Sequence, residues 1–82
     1  MSDSTIITYE GQKFEVSVLR PEENLTMVSV LTTDCRFALS VNFEGRELPT
    51  TTYGLAIKNR SRAWRDGLRR EALAAAQLDS HP

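Results

Sequence analysis

The residues predict an α+β fold: a four-stranded antiparallel sheet of two consecutive hairpins, then one long C-terminal amphipathic helix packed on one sheet face. Three observations carry this. Between residues 5 and 43, apolar side chains recur at every second position. Near residue 50 the spacing changes to every third or fourth. The run Glu71-Ala72-Leu73-Ala74-Ala75-Ala76 then gathers strong helix formers.

Thr5 to Tyr9 is β-branched and aromatic, and Glu10-Gly11 is a turn signal. Lys13 to Arg20 alternates, with Phe14, Val16 and Val18 on one side and Glu15 and Ser17 on the other. A two-residue loop at Glu10-Gly11 sets Ile7 opposite Phe14 and Thr5 opposite Val16, so the apolar faces match. Pro21-Glu22-Glu23-Asn24 reads as a loop. Leu25 to Thr32 then pairs with Phe37 to Phe43 around a turn near Asp34-Cys35. In that register Val30 faces Leu39, Val28 faces Val41 and Thr26 faces Phe43, and Phe37, Leu39, Val41 and Phe43 form one apolar face.

From Tyr53 onward, a mostly apolar stripe through Ile57, Arg60, Trp64, Leu68, Glu71, Ala75 and Leu78 predicts a helix over 53–78, with the threonines at 50–52 as caps. Such a helix runs roughly 39 Å, whereas seven-residue strands run about 23 Å, so it overhangs the sheet. Tyr53, Leu55 and Ile57 also alternate. A second reading therefore makes Thr51–Lys58 a fifth strand and gives Asn59 the cap of a shorter helix. Gly67, beside Trp64 and Leu68, suggests a helix backbone passing close over the sheet.

The 82 residues fit a single domain, with the sheet at 5–43, the helix at 53–78 and a frayed tail at 79–82. So short a chain has a thin core, which favours a binding surface over an enclosed active site. One cysteine, Cys35, excludes an internal disulfide. The N-terminus lacks the blocks of a signal peptide, and no apolar run approaches a membrane span, so a cytoplasmic setting without a membrane partner is expected.

Catalytic signatures are missing from the pattern. The single histidine, His81, sits one residue from the end, and one Cys with one His cannot build a zinc cage. The four glycines form no phosphate-binding frame. No catalytic residue, metal site or cofactor is assigned, and no enzymatic activity is expected.

Charge is balanced overall at −1, but residues 1–50 carry −4 and residues 51–82 carry +3. In the long-helix reading Lys58, Arg62, Arg65 and Arg69 follow a spacing that projects four cations from one helix face. Arginine's planar fork suits carboxylate or phosphate. This row is the first candidate binding surface, for a protein partner, an acidic one in particular. The second is the sheet's outer face, where Leu19, Leu25, Met27 and Leu31, with Ile6, stand among polar residues. Homodimerisation or a protein partner would account for it. The expectation is a small non-enzymatic interaction protein, a regulator, inhibitor or adaptor. A nucleic-acid-binding domain using the arginine row is the alternative, weakened by the net charge.

Overall fold

The computed structural model describes residues 3–76. Five strands lie in one antiparallel sheet in chain order: β1 (Asp3–Tyr9), β2 (Gln12–Glu22), β3 (Leu25–Thr32), β4 (Phe37–Glu44) and β5 (Thr50–Tyr53). A single 3₁₀ turn at Leu55–Ile57 leads to the helix α1 (Arg62–Ala75). The strand count is thus five where four were expected. Three consecutive threonines decide the matter, because a β-branched run fits a pleated edge better than a helix start.

Both hairpin registers agree with the alternation. Ile7 faces Phe14 and Thr5 faces Val16. Val28 faces Val41, Val30 faces Leu39 and Thr26 faces Phe43. The first turn has Glu10 at φ 50° and Gly11 at φ 80°. Two central residues of positive φ define the type I′ turn, whose twist matches the strands it joins.

The second turn is longer. The Cys35 N–H donates to the Thr32 carbonyl at 2.9 Å and the Thr32 N–H to the Arg36 carbonyl at 2.8 Å. The Thr32 hydroxyl donates to Asp34 Oδ1 and accepts from the Arg36 N–H. Its bond to Asp34 holds that carboxyl below its ordinary range. Cys35 sits at φ 66°, in the left-handed region.

Just beyond this turn the ladder slips. Val30 faces Leu39, but Leu31 faces Phe37, so Ala38 is an extra residue in β4. The bulge re-aims its neighbours: Ala38 and Leu39 are both buried, while Phe37 is 38% exposed. This corrects the expectation that Phe37 shares the core face with Leu39 and Val41. Phe43 keeps to that face and packs against the core, half-buried.

The expected helix over 53–78 is also corrected. Gly54 is extended at φ −94°, ψ 174°, and its N–H donates to the Ala38 carbonyl at 2.7 Å, as a strand residue would. The helix begins only after Ser61, whose hydroxyl accepts the Trp64 N–H at 3.1 Å. Ser61, not Asn59, is the cap. Fourteen residues give about 21 Å, close to the strand length, so the overhang disappears. The remaining expectations, helix to 78 and a tail at 79–82, lie outside the described residues.

The core lies between α1 and one sheet face. Phe14, Val16, Val28, Val30, Leu39 and Val41 meet Ile57, Leu68, Ala72 and Leu73, all buried. Trp64 packs half-buried at the rim, edge-on to Tyr9 at 5.0 Å and to Phe14 at 6.2 Å. The Tyr9 hydroxyl donates to the Trp64 carbonyl at 2.9 Å. One turn on, Gly67 leaves room for that ring, because a Cβ there would collide with the Tyr9 hydroxyl and lie 3.0 Å from its Cζ.

Two stability predictions follow from these contacts. Gly67→Ala gains about 1 kcal/mol of helix propensity but overpacks the Tyr9 contact, which costs about 1–3 kcal/mol, so urea unfolding should show a net loss. Tyr9→Phe removes the colliding oxygen, and the double variant should lose less than the two single losses combined. At the second turn, a non-glycine in the left-handed region costs about 1–2 kcal/mol, and glycine's added chain entropy returns only part of that. Cys35→Gly should therefore raise stability by about 0.5–1 kcal/mol in the same assay.

Candidate functional site

The arginine row does not form as a single exposed stripe. Lys58 lies in the turn beyond the 3₁₀ segment, off the helix. Arg62 opens α1 and is exposed. Arg65 and Arg69 are half-buried and lean toward β5. The Arg65 guanidinium carbon stands 4.9 Å from the centroid of the Tyr53 ring, a cation–π contact. Arg69 Nε donates to the Thr51 hydroxyl at 2.9 Å. Two of the four cations thus tie the helix to the last strand. A second cation–π contact, outside the row, sets the Arg60 guanidinium carbon 4.7 Å from the centroid of the Trp64 ring.

Beside these contacts runs an open groove of about 740 Å³ between α1 and the β4–β5 edge. Phe43, Pro49 and Leu73 line it with Tyr53, Asp66, Arg69 and Arg70. The Tyr53 hydroxyl donates to Asp66 Oδ1 at 3.2 Å. Burial first, then that hydrogen bond to Asp66, push the phenol above the ordinary tyrosine range. Among the described residues the groove is lined by one carboxylate, and none of its lining side chains is a nucleophile with an activating base beside it. Among the described residues no three His, Cys, Asp or Glu side chains are grouped to hold a metal ion, and no helix is long and apolar enough to cross a membrane. Cys35 is exposed at its turn, and His81 lies outside the described residues.

The outer sheet face has more order. Because opposed residues share a face, the pairings define rows across the strands. Ser4, Ser17, Ser29, Ser40 and Thr52 face one another in succession, a row of hydroxyls crossing all five strands. On one side of it run Ile6, Glu15, Leu31 and Phe37. On the other run Leu19, Met27, Asn42 and Thr50. Glu15 is the only charged side chain in these three rows. Ile6 is 56% exposed and Leu19 39%, while Met27 and Leu31 are half-buried by their neighbours. Leu25 is half-buried at the end of the face, between Glu22 and Glu44. The structure thus brings Leu19, Met27 and Leu31 onto one surface and adds Phe37, which the alternation had assigned to the core. The hydroxyl row was legible in principle: once the register is set, the serines at 17, 29 and 40 must align.

The chain matches no family model, no curated protein and no solved structure.

A raised phenol pKa stabilises the fold below the unfolded-state value, and that contribution is lost as pH rises through the folded value. Stability should therefore fall on the alkaline side as Tyr53 ionises. Carbon-detected NMR titration should place Tyr53 higher in the folded chain than in urea, and Asp66→Asn should narrow the gap. An unchanged gap would mean that the bond to Asp66 contributes nothing in solution.

Proposed function

We propose that the chain is a non-enzymatic interaction protein, of the regulator, inhibitor or adaptor kind, that binds another protein through the outer face of its sheet. One observation carries this reading. The single described helix covers one sheet face, and on the other Ile6, Leu31 and Phe37 on one side of a hydroxyl row, and Leu19 and Met27 on the other, stand among polar residues with one charge in the three rows. Apolar side chains left exposed on this face, Ile6, Leu19 and Phe37, cost solvation unless something covers them. Two packed sheets stand about 10 Å apart, so small hydroxyl side chains in the middle let a partner approach while the flanking leucines, methionine and phenylalanine supply the apolar contact.

The alternative, nucleic acid held along the helix, draws support from Lys58, Arg60, Arg62 and Arg70, which are exposed. It is weakened because Arg65 and Arg69 are engaged on β5. An acidic protein on the same side is weakened in the same way.

Met27→Lys and Leu31→Lys place charge in the face without touching the core. Affinity capture from a lysate of the source organism should recover a protein with the native chain and with Arg62→Glu. Each lysine variant should lose at least about tenfold in recovery, the loss expected when a central apolar contact is charged. Full recovery with both lysine variants removes the sheet face as the binding surface. Loss with Arg62→Glu alone, with binding that weakens steeply as salt rises, would favour nucleic acid on the helix.

A further inference from the structure

The two edges of the sheet are built differently. β5 is only four residues long and follows Pro49, and short edges resist pairing with other chains. β1 has seven residues in an unbroken register with β2, from Asp3 opposite Val18 to Tyr9 opposite Gln12. From Ser4 to Tyr9 it carries no charge and no proline. It thus lacks the lysines, prolines and bulges by which edge strands are commonly protected.

The type I′ turn also sets the phase of the hydrogen bonds. The pair that closes a two-residue hairpin, here Tyr9 and Gln12, exchanges both of its bonds. Bonded pairs then recur at every second residue, so Thr5 and Ile7 direct their N–H and C=O groups toward β2. Ser4, Ile6 and Thr8 direct theirs away from it. The sheet ends at β1, and among the described residues no strand pairs with that side. Ser4, Ile6 and Thr8 are all exposed.

We propose that β1 pairs antiparallel with β1 of a second copy, about a two-fold axis at Ile6, joining the two sheets edge to edge. In that register Ile6 faces Ile6 of the second copy and Ser4 faces its Thr8. The strand complements itself: hydroxyl meets hydroxyl, one β-branched side chain covers the other, and no like charges oppose each other between Ser4 and Tyr9. The outward N–H and C=O groups of the three residues satisfy one another across the axis. Ile6, the most exposed apolar side chain of the sheet's three central outer rows, becomes covered, and the outer faces of the two copies become continuous. A contact made by one seven-residue edge falls below the roughly 1,200 Å² at which standard stable interfaces begin, so the dimer is weak and depends on concentration. Ile6 belongs to an outer row as well, but the pairing is made by the backbone groups of the edge strand and stands without the assignment of that face to a partner.

Sedimentation of the full chain from about 10 μM to about 1 mM should show a monomer passing to a dimer, in the range of a small interface. Amide exchange followed by NMR over the same range should slow at Ser4, Ile6 and Thr8. Thr5 and Ile7, already bonded to β2, should change little. Ile6→Pro removes an N–H that faces away from the fold, a substitution an edge strand tolerates, and Thr8→Lys adds an edge charge. Both should remain monomeric throughout. Should Ile6→Pro fail to fold, Thr8→Lys alone decides. A native chain that stays monomeric at the highest concentration overturns the proposal. So does a dimer that survives both substitutions, or edge protection that appears only when a different protein is added.

Discussion

One helix has one apolar stripe, and α1 spends all of it on one side of a five-stranded sheet. Every other feature accommodates that limit. Leu68, Ala72 and Leu73 are the helix's buried residues, and they meet the inward side chains of β2, β3 and β4. The polar ties lie around this contact: the Tyr9 hydroxyl holds the Trp64 carbonyl, and Arg69 holds Thr51. Because β1 and β5 are the two edges, the helix is tied to both margins of the sheet while its middle rests on the core. The opposite face takes no part in this packing.

The strands were legible because their signal is simple. Alternation at period two, with Glu10-Gly11 between two apolar runs, leaves one register that buries Phe14 and Val16 together. The failures have equally local causes. Ala38 is small enough to be swallowed by a bulge, and nothing in its neighbours' alternation betrays the slip that turns Phe37 outward. Tyr53, Leu55 and Ile57 fit both a strand and a helix pattern, and neither holds throughout: Thr50–Tyr53 is strand and Leu55–Ile57 a 3₁₀ turn. The strand is extended by a hydrogen bond from Gly54 to Ala38, a partner sixteen residues away that no periodicity reports.

The candidate surfaces show the same divide. A helical wheel places Arg62, Arg65 and Arg69 at related angles, and in that respect the spacing was informative. It does not say which neighbour occupies the space beside them. Once β5 takes that space, with Tyr53 beneath Arg65, cations that looked solvent-directed become ties between elements. The outer face fared better because its definition needs only the register. Leu19, Met27 and Leu31 stay together for the reason that Phe14 and Val16 do, on the other side of the pleat. Tyr53, which gathers a cation, a carboxylate and the groove, carried no signal beyond its apolar character.

Strand order in this sheet is the order of synthesis. Each strand meets its predecessor across a short turn, so the loops that must close are small and the entropy lost in closing them is low. The hairpins can zip one after another, each templating the next. Only the cover arrives from far along the chain: Trp64 reaches Tyr9 across 55 residues. The largest loop to close is therefore the one that brings the helix onto the sheet, where it bridges the first strand and the last and joins a sequence of local ribbons into one unit.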